Sequence, residues 1–145
     1  MISLPTSRRT FLKCSSSLLL TPLSFAHASD VSFRHDPFSL GIASGYPTAD
    51  GIILWTRLLY SQAEPQPIQG IIPVTWEIST DEKMRKIVRS GIENATPEFA
   101  HSIHAEVAGL KSDRNYWYRF TAGGMQSPIG RTRTAPALNA KLNRL

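Results

Sequence analysis

One cysteine, Cys14, is all that the 145 residues contain. A lone thiol excludes a disulfide framework and a paired-thiolate metal or redox site. Long apolar runs are missing too. The richest stretch, 18–25, is interrupted by Pro22 and Ser24 and falls short of the roughly 18 residues a membrane-crossing helix needs. No stable membrane anchor is therefore expected. Neither a G-x-S-x-G elbow, a P-loop lysine motif nor G-x-G-x-x-G occurs, which removes the common signatures of serine hydrolases and of nucleotide cradles. Ser44, Ser90 and Ser102 lack an elbow context, and "GIASGYP" (41–47) carries two glycines without a phosphate-binding lysine.

What is present begins with an address. Residues 7–13, SRRTFLK, match the twin-arginine export motif position by position, with Arg8, Arg9, Phe11 and Leu12 as its recognition residues. A short apolar stretch follows, then Ala26-His27-Ala28, an A-x-A cleavage signature with Ala26 and Ala28 at its small positions. Residues 1–28 thus read as a removable signal handled by the twin-arginine translocation machinery, and the product is expected in the periplasm or outside the cell. The signal holds three of the 16 basic residues and none of the 11 acidic ones, so the remainder carries a net +2. That balance offers no concentrated basic face for nucleic acid.

The other 117 residues suffice for one modest core. Residues 29–37 form a polar leader, 38–136 a domain, and 137–145 a linker. Within 38–136, short runs rich in Ile, Val, Trp, Tyr and Phe alternate with Gly, Pro, Asp and Asn clusters, which predicts an all-β sandwich of about seven strands, immunoglobulin or fibronectin type III-like. The expected strands are 38–43, 51–58, 72–79, 86–91, 102–108, 116–122 and 129–134. A single helical turn is expected over 81–85, and 61–70 reads as a loop. In VTWEIS and NYWYRF, Trp76 shares a face with Val74 and Ile78, and Tyr116 with Tyr118 and Phe120. "GLKSDRNYWYRF" (109–120) carries Leu110, a turn, then Tyr116. This is the spacing of a tyrosine corner, with the Tyr116 hydroxyl returned to backbone near Leu110. In "GIILWTRL" (51–58) both Ile52/Leu54 and Ile53/Trp55 are apolar, which suggests a strand buried on two sides. Ile52 and Leu54 are the residues expected to form a docking face.

Chemistry is sparse. His101 and His104 lie three apart, so on one strand they point to opposite faces and cannot share an ion. The carboxylates Asp50, Glu77, Asp81, Glu82 and Glu106 form no obvious acid–base pair, and Glu77 and Glu106 are expected in surface ion pairs. Arg131 and Arg133 alternate with threonines as one polar face of an edge strand, suited to gripping a neighbouring domain or an anion. No catalytic or metal residue is assigned. An alternative is an independent periplasmic binding module for carbohydrate, using Trp55, Trp76 or Trp117, which needs two exposed coplanar rings.

The segments FSLGIASGYPTADGIILWTRL, VTWEISTD, VRSG, ATPEFAHSIHAEVAGL, NYWYRF and SPIGRTRTAP, in this order and spacing over about residues 33–136, closely resemble the N-terminal domain of PhoD-type alkaline phosphatases. Phe38, Gly41, Ala43, Ser44, Gly45 and Pro47 match the opening motif of that family, with Tyr46 where an aspartate is usual. Trp55, Trp76, Leu110, Tyr116, Tyr118 and Phe120 match later positions. The resemblance implies a non-catalytic module ahead of a catalytic metallophosphatase domain, its partner in cis. The calcium and iron of such phosphatases and phosphodiesterases belong to that second domain. The family's catalytic residues have no counterpart within this chain. A metal enzyme that folds before export also accounts for the twin-arginine address.

Overall fold

The computed structural model describes residues 31–59, 70–138 and 140. The signal residues Arg8, Arg9, Phe11, Leu12, Ala26 and Ala28 lie outside them, as do 60–69 and most of the linker. Eight strands follow in order: β1 (Ile42–Gly45), β2 (Ile52–Arg57), β3 (Ile72–Ser79), β4 (Ile87–Ala95), β5 (Ser102–Val107), β6 (Asn115–Ala122), β7 (Met125–Gln126) and β8 (Gly130–Arg133). They make two antiparallel sheets, β1-β2-β5 and β4-β3-β6, with β7 and β8 both paired to the far side of β6. Among the described residues the helical content is one 3-10 turn, Pro97–Phe99.

Alternation of side chains sets the layers. Val74, Trp76 and Ile78 of β3 and Tyr116, Tyr118 and Phe120 of β6 all point inward, with Trp76 opposite Phe120 and Ile78 opposite Tyr118. They meet Ile52, Leu54, Ile103, Ala105 and Val107 from the smaller sheet. Each large apolar side chain so buried contributes about 1.5–3 kcal/mol. Tyr118 and Phe120 cross edge to face, centroids 6.2 Å apart and planes at 86°, the arrangement that matches ring edge to ring face. Room for the rings comes from glycine. A β-carbon at Gly91 of β4 would stand 2.5 Å from the Trp76 ring, and one at Gly130 of β8 would collide with Tyr118.

The β5–β6 connection is locked by hydroxyls. Tyr116, 2% exposed, accepts the Lys111 N–H at 2.8 Å through its phenol oxygen. Thr134 donates to the Lys111 carbonyl at 2.7 Å and accepts from the Arg114 N–H at 3.1 Å. The corner therefore closes on Lys111, one residue beyond Leu110. At the same end the Asp81 carboxylate gathers the N–H groups of Lys83, Arg85 and Lys86 at 2.7–3.1 Å and meets the Ser79 hydroxyl at 3.0 Å. Partial desolvation raises its pKa, but the Lys86 N–H, Ser79 hydroxyl and Arg85 and Lys83 N–H bonds outweigh it and leave the group below its usual value.

Several elements differ from the sequence-based expectation. The first strand begins at Ile42, not 38, because Phe38 (1% exposed) plugs the core from a turn closed by Gly41 N–H to the Phe38 carbonyl at 2.7 Å. β4 runs on to Ala95, since its outward positions are exposed and its alternation is weak in sequence. The 81–85 segment is a carboxylate-centred loop, not a helical turn: Asp81 draws the N–H groups that a helix would leave to the backbone. The expected last strand, 129–134, is observed as β8, and a short additional strand, β7, precedes it, separated by Ser127, whose hydroxyl takes the Phe120 N–H at 2.9 Å.

Two outcomes follow. Tyr116→Phe leaves the Lys111 N–H without its partner and should lower unfolding free energy by about 1–3 kcal/mol, read from urea midpoints at constant m-value. Burial raises the Tyr118 pKa, partly offset by a hydrogen bond with Ser44. The unfolded chain then loses this proton first, near pH 10, so Tyr118's contribution is intact below that pH and is lost as pH climbs further. Thermal melts across this range should show a falling midpoint, with the slope reduced in Tyr118→Phe.

Candidate interaction surface

β2 carries two apolar faces, and the sandwich uses one. Ile52 and Leu54 are 4% and 0% exposed within the core, so they cannot form the docking face expected of them. The outward face of the smaller sheet is built from the alternate residues. By register, Ala43, Trp55 and His104 lie side by side, as do Gly45, Ile53 and Glu106, and Arg57 stands beside Ser102. A glycine and an alanine on β1 leave Ile53 and Trp55 half-buried, with open space above Gly45.

This face runs into an open hollow of about 220 Å³ at one end of the sandwich, where Tyr46, Thr48, Asp50, Ile53, Glu106 and Val107 meet. Tyr46 is 77% exposed and holds a left-handed backbone, φ 49°, a conformation that costs a non-glycine residue of the order of 1 kcal/mol. The turn behind it is firmly tied. Thr48 N–H donates to the Gly51 carbonyl at 3.0 Å, Leu110 N–H to the Asp50 carbonyl at 2.8 Å, and the Thr48 hydroxyl to Asp50 at 3.1 Å. Gly51 is obligatory here, since a β-carbon would stand 2.8 Å from the Val107 carbonyl oxygen. The chain leaves the domain beside the same turn: Ala135 N–H donates to the Thr48 carbonyl at 2.9 Å.

The remaining candidates fall apart in space. Trp55 points outward from the smaller sheet, Trp117 outward from the larger, and Trp76 is 8% exposed inside. No two of them form the coplanar platform that the tryptophan-based carbohydrate reading needs. His101 precedes β5 with its Nε2 3.2 Å from the Gly70 carbonyl oxygen, whereas His104 sits on the outward face of the strand. Among the described residues no three His, Cys, Asp or Glu side chains converge. Glu77 pairs with Arg119 at 2.7 Å, but Glu106 has no partner among the described residues. Arg133 reaches Asp113 at 2.6 Å, on an exposed pair of small energetic weight. Sequence reasoning chose the wrong half of β2. Two isoleucines in succession give period-two alternation no phase, and only the polar Thr56 and Arg57 beyond them hint at it; the threonine turned inward because its hydroxyl donates to the Gly41 carbonyl at 3.0 Å.

Comparison with known proteins adds a lineage to this geometry. A family model described as PhoD-like phosphatase, N-terminal domain, matches residues 24–136. Alkaline phosphatase D of Bacillus subtilis (strain 168) is 45% identical over 117 residues, covering 77% of this chain and 19% of that protein. The solved structure of PhoD aligns with a TM-score of 0.72 at 45% identity, over 77% of this chain and 22% of the other. A fibronectin type III domain from human KIAA0970 protein aligns with a TM-score of 0.50 at 15% identity, over 70% and 76%, a likeness of fold. The chain thus spans about a fifth of the length of the phosphatases it matches.

The two faces of β2 should respond differently to substitution. Ile53→Asp is expected to change unfolding free energy by no more than about 1 kcal/mol, whereas Leu54→Ala should cost about 2–5 kcal/mol. Urea titrations of both variants check this, and equal losses would remove the outward face from consideration.

Proposed function

The chain belongs to the N-terminal-domain family of PhoD-like phosphatases, and from that premise we propose that it is the non-catalytic front module of a longer secreted phosphatase. The observation that carries the reading is the match itself: strong identity across most of this chain, confined to about a fifth of the relative. Phosphate-ester hydrolysis, with the calcium and iron that serve it in such enzymes, is assigned to the portion the chain does not span. The module's contribution is contact. Its outward strand face and the Tyr46 hollow adjoin the point where the polypeptide leaves at Ala135, so the phosphatase portion that follows in cis is the occupant this geometry favours. Ile53 supplies the apolar area and Tyr46 a ring with few rotamers to lose, the kind of anchor that dominates interfaces. Arg8 and Arg9, with the A-x-A site at Ala26 and Ala28, support export by the twin-arginine route to the periplasm or beyond.

Hydrolysis of p-nitrophenyl phosphate in the presence of calcium and iron tests the assignment. The purified chain should show no turnover, whereas the same chain fused ahead of the remaining four-fifths of the Bacillus subtilis relative should be active. Turnover by the chain alone overturns the reading. In the fusion, Ile53→Asp with Tyr46→Ser should loosen the contact and speed proteolysis near the junction. Export is checked separately, by replacing Arg8 and Arg9 with lysine and fractionating cells: the product should stay in the cytoplasm.

A further inference from the structure

Among the described strands, β4 is the longest at a sheet edge, nine residues against four in β1, six in β5 and four in β8. We infer that it is a dimerisation edge, which pairs antiparallel with β4 of a second copy of this chain. Pairing with β3 uses one side of the strand. The alternate N–H and C=O groups point the other way, and among the described residues no backbone group outside the sheet bonds to those of 89–94. Proline and lysine are the usual guards of such an edge, and 87–95 contains neither. The bulge at Ile78/Ser79 falls at the Val88 end and leaves 89–94 in regular register.

Two charges remain on the strand, and their placement selects the partner. Arg89, Gly91 and Glu93 lie opposite Ile78, Trp76 and Val74, so all three face inward, while Ser90 and Ile92, opposite Glu77 and Thr75, face outward. An inward charge at an edge ordinarily discourages a neighbouring strand. A two-fold axis at Gly91 reverses that effect. The antiparallel register then sets Gly91 against the partner's Gly91, Arg89 against the partner's Glu93 and Glu93 against the partner's Arg89. Opposite charges directly across a strand pair attract, and the symmetry makes both contacts at once. Glu93 has no hydrogen bond or ion pair among the described residues. Arg89 is held by carbonyls alone, Ala108 at 3.2 Å, Gly109 at 2.9 Å and Val88 at 2.8 Å. Its guanidinium is thus fixed at the edge with no carboxylate among the described residues to neutralise it.

The register is specific. Moving the axis one residue, to Ser90 or to Ile92, sets Arg89 against the partner's Gly91 or Ala95 and loses both ion pairs. At Gly91 the Trp76 ring occupies the inner side of the strand, so no β4 side chain obstructs the joint there. On the outer side Ile92 is 66% exposed. Ile92 and the partner's Ile92 become diagonal neighbours across the axis, within reach of each other, and cover apolar area that a single copy leaves in water. β4 supplies no residue to the Tyr46 hollow.

Sedimentation equilibrium of the full chain from about 10 μM to 1 mM, the range in which small interfaces assemble, tests the inference. A monomer–dimer equilibrium is expected. Arg89→Glu and Glu93→Arg each make both pairs repulsive and should weaken the dimer by about tenfold or more. The two variants mixed in equal amounts should associate at least as tightly as the unaltered chain, since both pairs across the mixed axis are again opposite in sign. Far-UV circular dichroism checks that the sheets persist. Arg89→Glu also gives up the bonds to Ala108 and Gly109; if it loses its fold, Glu93→Arg alone decides. A monomer throughout the range, a dimer indifferent to Glu93→Arg, open-ended association, or no recovery on mixing two folded variants overturns the inference. Because phosphatase activity is not read, neither result bears on the front-module assignment.

Discussion

The distance between the two sheets is set by four rings, Tyr116, Tyr118 and Phe120 on β6 and Trp76 on β3, which project from the centre of the larger sheet. Rings of this size fit a sandwich about 10 Å thick only if the flanking strands give way. Gly91 on one side receives Trp76, and Gly130 on the other receives Tyr118. The constraint is mutual: the aromatic residues need the glycines for space, and the glycines need the aromatic residues to fill what would otherwise be voids. One cost remains, since the buried Trp76 Nε1 has no acceptor among the described residues. An orphaned donor of this kind costs about 1–3 kcal/mol, a sum the surrounding apolar contact has to exceed.

The interior was largely legible in the sequence. Trp76 with Val74 and Ile78, and Tyr116 with Tyr118 and Phe120, alternate cleanly because β3 and β6 are central strands with one wet face. Residues at the margins were not legible. Phe38 belongs to the core without belonging to a strand, and no periodicity reports a side chain delivered by a turn. Asp81 resembled a helix start, but its carboxylate serves a loop, and the two uses share one sequence signature. The phase of β2 depended on a tertiary bond from Thr56 to Gly41 that no local window contains.

The exposed features divide between the two ends. Near Thr48 and Ala135 the surface is apolar and adjoins the outgoing chain, while the far end carries the exposed ring of Phe99. Left-handed, non-glycine residues occur at both, Tyr46 at one and Ala100 with His101 at the other. Met84 and Asp113, in the loops beyond Ser79 and Leu110, share that conformation, and the sheets themselves are regular apart from one bulge at Ile78/Ser79.

Phe33 packs toward Gly123 at the finish of β6, whereas Ala135 is tied to Thr48 near the start of the same strand. Entry and departure therefore lie on opposite poles, separated by the eight residues of β6, or about 26 Å at the rise of an extended strand. With both anchors fixed to one rigid body, the axis joining them cannot swivel. Polypeptide continuing past Ala135 takes its heading from β8, which runs antiparallel to β6, and the leader is carried on the far side, as the handle of a tool keeps the hand away from the blade.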